Sequence, residues 1–599
     1  MNRRVSRRRA LAFTGATATG ALLLACSGKD DTKKGNASGD TPEGLAQAKD
    51  QTSEGKIAGP MKGANLLSAS GSFEPYTQGG GSGQGTLSRL WLVKDGHFKN
   101  TAGELDGDLV ASWEISPDRL TITAKLDPDR KFAPLAPVNG RAVDAQDIVF
   151  SYTRHKTMST SRTDYWREVA PTAPIESIKA IDARTVQIKV ATPTATILSL
   201  LARDFAGDFH ILPKEDGIDF RQPFAGSGPW YVTDVEPSIG AKLRKNPGYK
   251  DKLGPLPFID VAEMPTITDY AQQMAQFRAG NLYNFPAQMV PEDILQTKND
   301  FPVMEMMESP NYFSRVQRFG FGQSDDSPFR DERVRQAFYA TIDKELLLLA
   351  GAGAETLEKA GFPTGIRFEG ALENGAPGWE GWILDPQDEK EFGPNSVNFK
   401  FDVARAKQLL TAAGHTGQVE SNMYTVAPPT SPFFLLQLDS IAEMANTSGL
   451  FKITRVPVAN FAGEFAPNYQ TQIGRAFKGL AISLSSGVGG VEPANYLFYH
   501  YNEAGSRRQG YDATLTDLTS KAITEFDADK RKALVQDIQR YEGKVLFFPR
   551  LGANTSYTIS WPILRNRNVW VGGSGRAGLG WGFNSTHWLD LSKPPVGNS

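Results

Sequence analysis

The side chains best suited to catalysis or metal binding are scattered through the sequence. The histidines show no pair at the spacing of metal ligands, and they stand at His97, His155, His210, His415, His500 and His587. The chain has neither a Gly-x-Ser-x-Gly nucleophile elbow nor a His-Glu-x-x-His pair. We therefore expect no catalytic residue, no metal and no cofactor. The many carboxylates leave one enzymatic alternative open, a secreted hydrolase whose two carboxylates face each other across a pocket.

A second group of residues has the chemistry of ligand binding. Residues 483–499 read SLSSGVGGVEPANYLFY, a stretch in which Glu492 is the only carboxylate. Hydroxyls, amides and accessible backbone recognise neutral or hydroxyl-rich ligands. In this stretch such groups are offered by Ser485, Ser486, Gly487 and Asn495.

Aromatic rings supply flat surfaces on which a ligand stacks. The candidates are Tyr76, Trp91, Tyr312, Phe313, Trp379 and Trp382. Trp379 and Trp382 stand out because they lie in a glycine-rich segment, PGWEGW at residues 377–382. Each of these aromatic residues has a plainer alternative, which is packing in the hydrophobic core.

Length and charge limit the architecture that must position these residues. A chain of 599 residues is too long for one hydrophobic core, so two or three lobes are expected. The formal net charge of -2 predicts no attraction to nucleic acid. With a single cysteine, Cys26, the chain forms no intrachain disulfide.

The amino-terminal segment has the features of an export signal and an anchor. Five arginines between residues 3 and 9 precede an apolar run, Ala10–Ala25, that has the length of a signal-peptide core. The run ends in Leu23-Leu24-Ala25-Cys26, which resembles a lipobox, so Cys26 is expected to carry lipid once residues 1–25 are removed. Ser6-Arg7-Arg8-Arg9 resembles a twin-arginine signal, although the arginines also suit general secretion. Residues 26–58 are polar and small, which predicts a flexible tether.

The most distinctive local pattern runs from Phe224 to Tyr249. Gly226-Ser227-Gly228-Pro229 predicts a tight turn, and Trp230-Tyr231-Val232 predicts the strand that follows it. A second turn at residues 238–240 leads into a returning strand at residues 241–244. The pattern therefore predicts an antiparallel hairpin.

Aspartates indicate where several helices begin. Asp144, Asp331 and Asp402 each precede an apolar pattern of helical period and are predicted N-caps. Two further helices are expected between Tyr511 and Pro549, followed by a buried strand at residues 547–550.

The hairpin, the Asn-Pro-x-Tyr at residues 246–249 and these helical blocks occur in an order that resembles solute-binding protein family 5. Members of this family are extracytoplasmic peptide- and oligosaccharide-binding receptors of ABC importers. The resemblance covers most of the chain from Ala64 to Trp570. It implies an α/β, periplasmic-binding-protein-like fold, with two main lobes, a cleft and a hinge, plus an additional smaller lobe.

The resemblance also implies a division of the chain into segments. The expected boundaries are 1–25 for the signal peptide, 26–58 for the tether, 59–105 and 214–305 for lobe I, 106–213 for lobe II, 306–559 for lobe III, and 560–599 for the return to lobe I and the carboxyl-terminal tail.

The implied function is a receptor without enzymatic activity, lipid-anchored outside the cytoplasm. It would capture a peptide or similar oligomeric solute and deliver it to a membrane permease driven by an ATPase. Peptide-binding members usually carry an aspartate four residues before the proline at position 493, and here that position is Gly489. This departure leaves an oligosaccharide or another neutral solute as an alternative ligand. An adhesion module of the same fold, without a transport partner, is a further alternative.

Overall fold

The computed structural model describes residues 44–63, 72–77, 85–98, 103–203, 207–236, 238–285, 289–309, 317–351, 353–372, 379, 381–426, 432–470, 476–484, 492–505, 509–571 and 584–595. The strands in chain order are β1 Met61–Lys62, β2 Trp91–Val93, β3 Gly96–His97, β4 Leu105–Gly107, β5 Val110–Ile115, β6 Thr121–Leu126, β7 Ile175–Ala180, β8 Thr185–Val190, β9 Trp230–Glu236, β10 Gly240–Lys245, β11 Val261–Pro265, β12 Glu305–Glu308, β13 Gln317–Phe321, β14 Ile366–Arg367, β15 Val419–Val426, β16 Phe451–Val458, β17 Leu480–Leu484, β18 Ala553–Asn554, β19 Tyr557–Ser560, β20 Leu564–Arg565, β21 Trp570–Val571 and β22 Trp588–Leu589.

The helices in chain order are α1 Ala145–Met158, α2 Arg162–Tyr165, α3 Ile197–Leu201, α4 Tyr270–Arg278, α5 Pro291–Asp300, α6 Glu332–Ala340, α7 Lys344–Gly351, α8 Ala354–Lys359, α9 Glu389–Phe392, α10 Val403–Ala412, α11 Pro432–Thr447, α12 Pro493–Tyr501, α13 Ala513–Thr524 and α14 Ala528–Val545. Turns of 3₁₀-helix lie at Thr52–Glu54, Pro328–Arg330 and Pro394–Phe399, and a π-helix lies at Phe461–Gln470.

The first four-stranded sheet has the order β1-β11-β10-β9 and contains the predicted hairpin. Strands β9 and β10 pair antiparallel, as the turn residues predict. A Cβ atom at Gly226 would lie 1.9 Å from the carbonyl oxygen of Thr86, so the turn needs glycine to pass this backbone closely. Trp230 is fully buried and its indole N–H donates to the carbonyl of Ile259 at 2.9 Å.

The second sheet has the order β5-β6-β8-β7, and all its neighbouring strands are antiparallel. Together with α1, α2 and α3 it forms a unit that we call the second-sheet body. Asp144 begins α1 as predicted, because its side chain accepts from the amides of Gln146 and Asp147 while the Asp147 carboxylate accepts from the Asp144 amide. This reciprocal capping satisfies amides that the first helical turn leaves without partners.

The third sheet has the order β13-β17-β15-β16, in which β15, β16 and β17 are parallel and β13 is antiparallel to β17. Helices α6, α7, α10 and α11 share its hydrophobic core, and we call this unit the third-sheet body. Asp331 and Asp402 cap α6 and α10 as predicted. Helices α12, α13 and α14 pack against one another as a helical layer, and α14 also contacts α6.

The chain passes from the first sheet to the third through β12 and returns through β19. These two strands pair antiparallel, with Met306 opposite Ile559. Three sheets, each with its own surrounding core residues, confirm the prediction of an α/β chain with several lobes. The predicted lobe boundaries stay predictions.

The predicted flexible tether is wrong for residues 44–58, which pack on the folded body. Leu45 and Ala58 form bridges to Met306 and Ile259. Gln51, between them, is buried.

The predicted strand at residues 547–550 is wrong. Phe548, Pro549 and Arg550 are buried, as expected, but the backbone bends at Phe547 and Phe548 and forms only an isolated bridge between Arg550 and Arg318. The apolar run is buried because it fills space between α14 and the third sheet, and burial alone does not require a strand.

Glu542 of α14 carries a fully buried carboxyl group. Its Oε1 accepts from the Phe548 amide at 2.9 Å. Burial raises the pKa of Glu542 to about 8, against the opposing effect of the Phe548 amide and of Arg550 and Arg335.

We predict that Glu542→Gln makes the free energy of unfolding less dependent on pH. The folded-state pKa lies above the unfolded value, so the stability that the protonated carboxyl contributes is complete below pH 4.5 and is lost as the pH rises through 8. Urea unfolding measures the free energy of unfolding of both proteins at pH 5 and pH 9. The difference, variant minus wild type, should be larger at pH 9 than at pH 5 by on the order of 4 kcal/mol. Parallel curves for the two proteins would contradict this.

Candidate functional site

The carboxyl edge of the third sheet is the first part of the candidate site. Because β15, β16 and β17 are parallel, their carboxyl ends lie at the same edge, where open α/β sheets bind ligands. Strand β17 ends at Leu484, directly before the polar residues 485–489. The antiparallel strand β13 begins at this edge, since Gln317 pairs with Leu484.

Two polar side chains, Arg318 and Ser483, share one face of the sheet near this edge, and Thr425 lies on the opposite face because successive strand residues alternate between faces. Thr425 of β15 is fully buried, and its neighbour in register on β17 is Ile482. Arg318 of β13 stands opposite Ser483 of β17, and both side chains are buried. The guanidinium of Arg318 lies 5.6 Å from the ring centroid of Phe548. Ser483 and Arg318 together provide one hydroxyl and one guanidinium on the same face, which are groups that hold polar ligands.

Glu492 lies directly before α12 and fixes the start of that helix. Its Oε2 accepts from the Ala494 amide at 2.9 Å, so it is the N-cap of the helix. Its Oε1 accepts from Arg531 Nε of α14 at 2.8 Å, and the two side chains are 12% and 15% exposed. Burial raises the pKa of Glu492, and Arg531 acts in the opposite direction. This carboxylate therefore anchors the helix.

Asn495 is engaged by a residue of the second-sheet body. Its Oδ1 accepts from the Thr196 hydroxyl at 2.5 Å, and its Nδ2 donates to the Thr196 carbonyl at 3.1 Å. Both residues are buried. The amide named as a ligand contact thus joins α12 to the residue that precedes α3.

Three of the predicted aromatic platforms lie in the core. Tyr76 is fully buried and its hydroxyl donates to the His210 carbonyl at 2.5 Å. Trp91 is fully buried edge-to-face against Trp113, and Trp379 is buried edge-to-face against Tyr496. Since none of the three rings has an exposed face, none offers a stacking surface here, and the core-packing alternative describes their placement.

Trp382 is the predicted platform that keeps partial exposure among the described residues. The guanidinium of Arg531 lies 5.9 Å from its ring centroid. Arg531 thus brings two predicted site residues, Trp382 and Glu492, to one place. The remaining predicted residues lie outside the described parts of the chain: Tyr312, Phe313, Ser485, Ser486, Gly487, Gly489 and Cys26.

Sequence reasoning missed the residues that hold α12 from outside, namely Thr196, Arg203 and Arg531. Thr196 and Arg203 lie about 300 residues away from their partners in α12, so no local pattern connects them. Arg531 belongs to an ordinary charged run in the first turn of α14. One signal was available in the sequence. Glu492 directly before Pro493 is typical of a helix start, and a carboxylate at that position is expected to pair with a cation.

Two cavities accompany these elements. An open groove of about 1210 Å³ lies beside the first sheet, between the β9–β10 hairpin and α4, and carries both acidic and basic side chains. A small cavity of about 50 Å³ lies between the second-sheet body and α12–α13. Across the part of the chain that the structure describes, no group of three or more His, Cys, Asp or Glu side chains is placed to hold a metal. No helix in those same ranges is both long and apolar enough to cross a bilayer.

Comparison with known families agrees with this architecture. The sequence model described as bacterial extracellular solute-binding proteins, family 5 Middle, matches residues 104–506, more than half of the chain. The chain therefore belongs to this family, and the predicted family and its α/β fold are confirmed.

Relatives of known name are distant. Heme-binding protein A of Haemophilus influenzae is 24% identical over 351 residues, which is 55% of this chain and 57% of that protein. The glutathione-binding protein GsiB of Escherichia coli is 25% identical over 326 residues, which is 54% of this chain and 56% of that protein. The matched part therefore spans little more than half the length of these relatives.

Solved structures match over nearly their whole length. The periplasmic binding protein DppA of Helicobacter pylori, in complex with the peptide STSA, has a TM-score of 0.64 at 17% identity, covering 85% of this chain and 96% of that chain. NikA of Staphylococcus aureus, in complex with Ni(L-His)2, has a TM-score of 0.64 at 15% identity, covering 88% and 98%. At these identities the likeness establishes the fold.

We predict that Arg531→Met destabilises the protein by about 2 kcal/mol, because it leaves the nearly buried Glu492 carboxylate without its cation. The folded-state pKa of Glu492 is already raised, and loss of Arg531 raises it further. The stability contributed by the protonated form is lost as the pH rises, so the destabilisation should be larger at pH 8 than at pH 4.5. Urea unfolding at both pH values measures this.

Lys521→Met is the matched control. Lys521 pairs with Asp517 on the neighbouring helix α13, but both side chains are more than half exposed, at 60% and 56%. Its loss should change the free energy of unfolding by less than about 0.5 kcal/mol. Equal effects of the two substitutions would contradict the role given to Arg531.

Proposed function

We propose that this chain is the solute receptor of an ABC importer, which captures a peptide or similar oligomeric solute in a cleft between lobes and delivers it to a membrane permease. One observation supports the proposal: in a chain that belongs to a solute-binding family, parallel strands of the third sheet end at one edge, and Arg318 and Ser483 lie near this edge. The receptor itself hydrolyses nothing. Binding energy arises from closing two bodies around the solute and excluding water from it.

A peptide is the leading ligand class. Relatives are named for binding heme and glutathione, and a structural neighbour holds a peptide. Position 489 carries glycine instead of a carboxylate, and Ser483, at the described edge of the sheet, bears a hydroxyl. These features favour a ligand recognised without a charged amine, such as a peptide held through its backbone. They also support the alternative of a neutral oligosaccharide.

The partners of the receptor are a permease and an ATPase, and the receptor is held at the outer face of a membrane. The anchor is a lipid on Cys26, and the polar residues 27–43 form the tether, since the chain from Leu45 to Ala58 bonds to the folded body. A flexible segment of that length reaches roughly 20–25 Å, which lets the receptor dock on a permease beside it.

Substitution of the lipidated cysteine tests the anchor. Cys26→Ser should move the protein from the membrane fraction to the soluble extracytoplasmic fraction, because one serine carries no acyl chain. Equal membrane retention of the wild type and the variant would rule out a lipid at this position.

A binding experiment tests the function directly. The purified chain should be screened by thermal unfolding against dipeptides to pentapeptides and against oligosaccharides of similar length. A true ligand at 100 times its Kd should stabilise the fold by about 2.7 kcal/mol.

Mass spectrometry of the mixture should then recover the ligand unchanged. Stabilisation by neither class would overturn the proposed ligands, and conversion of a ligand to shorter products would favour the hydrolase.

A further inference from the structure

The second-sheet body and the helical layer touch each other without a direct chain connection. After α3 the chain enters the first sheet at β9, and it reaches α12 only after passing through the third sheet. The contact between α3 and α12 is therefore made by side chains and hydrogen bonds alone. Such a contact is able to break while each body stays folded.

Thr196 and Asn495 form the centre of this contact. They exchange two hydrogen bonds, from the threonine hydroxyl to Oδ1 and from Nδ2 to the threonine carbonyl. Thr196 occupies the N-cap position of α3, yet its side chain makes no capping bond to that helix. Its hydroxyl instead donates a hydrogen bond to Asn495. Beside this pair, the amide of Ala195 donates to the carbonyl of Ile523 in α13 at 2.9 Å.

A second contact lies on the same face of α12. Tyr499 follows Asn495 by four residues, so the two side chains project from one face of the helix. The guanidinium of Arg203 lies 4.8 Å from the Tyr499 ring centroid. Arg203 is held rigidly by ion pairs to Asp164 and Asp208, both within the second-sheet body. The cation is thus positioned in advance for the ring that α12 presents.

The interface between the two bodies is partly polar. The cavity of about 50 Å³ lies within it, and its lining includes the threonines at 163, 172, 192, 194 and 524. Leu200, Phe498 and Ile523 line the same cavity. The two bodies also share one cluster of buried apolar residues, which includes Leu200 of α3 and Tyr499 of α12. The hydroxyl-lined cavity reduces the apolar surface that separation exposes at this part of the interface.

We propose that Thr196 and Asn495 are a latch that holds the second-sheet body against α12 and sets how much of the ligand-free protein is closed. Helix α12 begins at Pro493, with Glu492 as its N-cap. In this proposal the Asn495 amide is engaged by Thr196 instead of by a ligand. The consequence of the latch for ligand affinity rests on the proposed function, since the apparent affinity falls with the fraction of binding-competent protein.

Single-molecule energy transfer in the full chain tests the latch without any ligand. In a Cys26→Ser background, labels are placed on exposed positions of the two bodies through Glu176→Cys in β7 and Asp529→Cys in α14. Thr196→Val removes the hydroxyl and keeps the side-chain shape. We expect the ratio of separated to joined molecules to rise about tenfold.

Two control variants separate the latch from general loosening. Thr153→Val deletes a hydroxyl that bonds to the Val149 carbonyl within α1, at 3.0 Å and away from the interface, and should leave the ratio unchanged. Thr196→Ser keeps the hydroxyl and should behave as the wild type. An unchanged ratio in Thr196→Val, or an equal shift in Thr153→Val, would overturn the proposal.

A double-mutant cycle tests the pairing itself. If Thr196 and Asn495 act together, Asn495→Leu should shift the ratio less in the Thr196→Val background than in the wild type, because the hydroxyl bond is already lost there and the bond to the Thr196 carbonyl alone remains to be removed. Fully additive shifts would show that they act separately. Thermal unfolding of each variant confirms that it is folded. The energy-transfer experiment uses no ligand, so its result is independent of the ligand screen. An unchanged ratio would overturn the latch alone, and a failed ligand screen would overturn the proposed ligands alone.

Discussion

In the described parts of the chain, the passage between the first and third sheets is made at one antiparallel pair, β12 with β19, and the arrangement of the bodies depends on this constraint. The pair joins four residues of each strand, from Glu305 opposite Ser560 to Glu308 opposite Tyr557. Met306 and Ile559 are buried in the core of the first sheet, so one side of the pair is fixed there. A short two-stranded connection anchored on one side is a place where small changes in backbone angles move one body against another.

Helix α12 shows how contacts away from that connection determine the arrangement of the bodies. Its start is fixed by Glu492 and Arg531, and one face carries Asn495 toward Thr196. A neighbouring face carries Tyr496, which contacts Arg550 and Trp379. Almost every residue of this helix is buried, although it follows directly on a stretch expected to contact ligand. The position of α12 is therefore coupled to packing on several sides at once.

The sequence predicted well those features that local chemistry determines. The hairpin of β9 and β10 follows from its turn residues, and the starts of α1, α6 and α10 follow from their capping aspartates. The segment at residues 547–550 was predicted as a strand because it is aromatic and buried, but its conformation is imposed by the bodies on either side.

The candidate site was harder to predict because its residues meet only in three dimensions. Asn495 was singled out for its amide, yet the Thr196 that engages this amide is 299 residues away. The aromatic residues Tyr76, Trp91 and Trp379 have the composition of a stacking platform, but burial within the core is a property of the whole fold. Their neighbours along the chain carry no signal that distinguishes the two environments.

Hydrogen exchange at the Ala195 amide tests the central claim most directly, which is that the bodies separate while each stays folded. This amide donates across the interface to Ile523, whereas the amides of β6 and β8 bond within the second sheet. In the ligand-free protein the Ala195 amide should exchange much faster than the amides of β6 and β8, with β12 and β19 still protected. Protection of Ala195 equal to that of β6 and β8 would show that the bodies move as one rigid unit and would contradict the account.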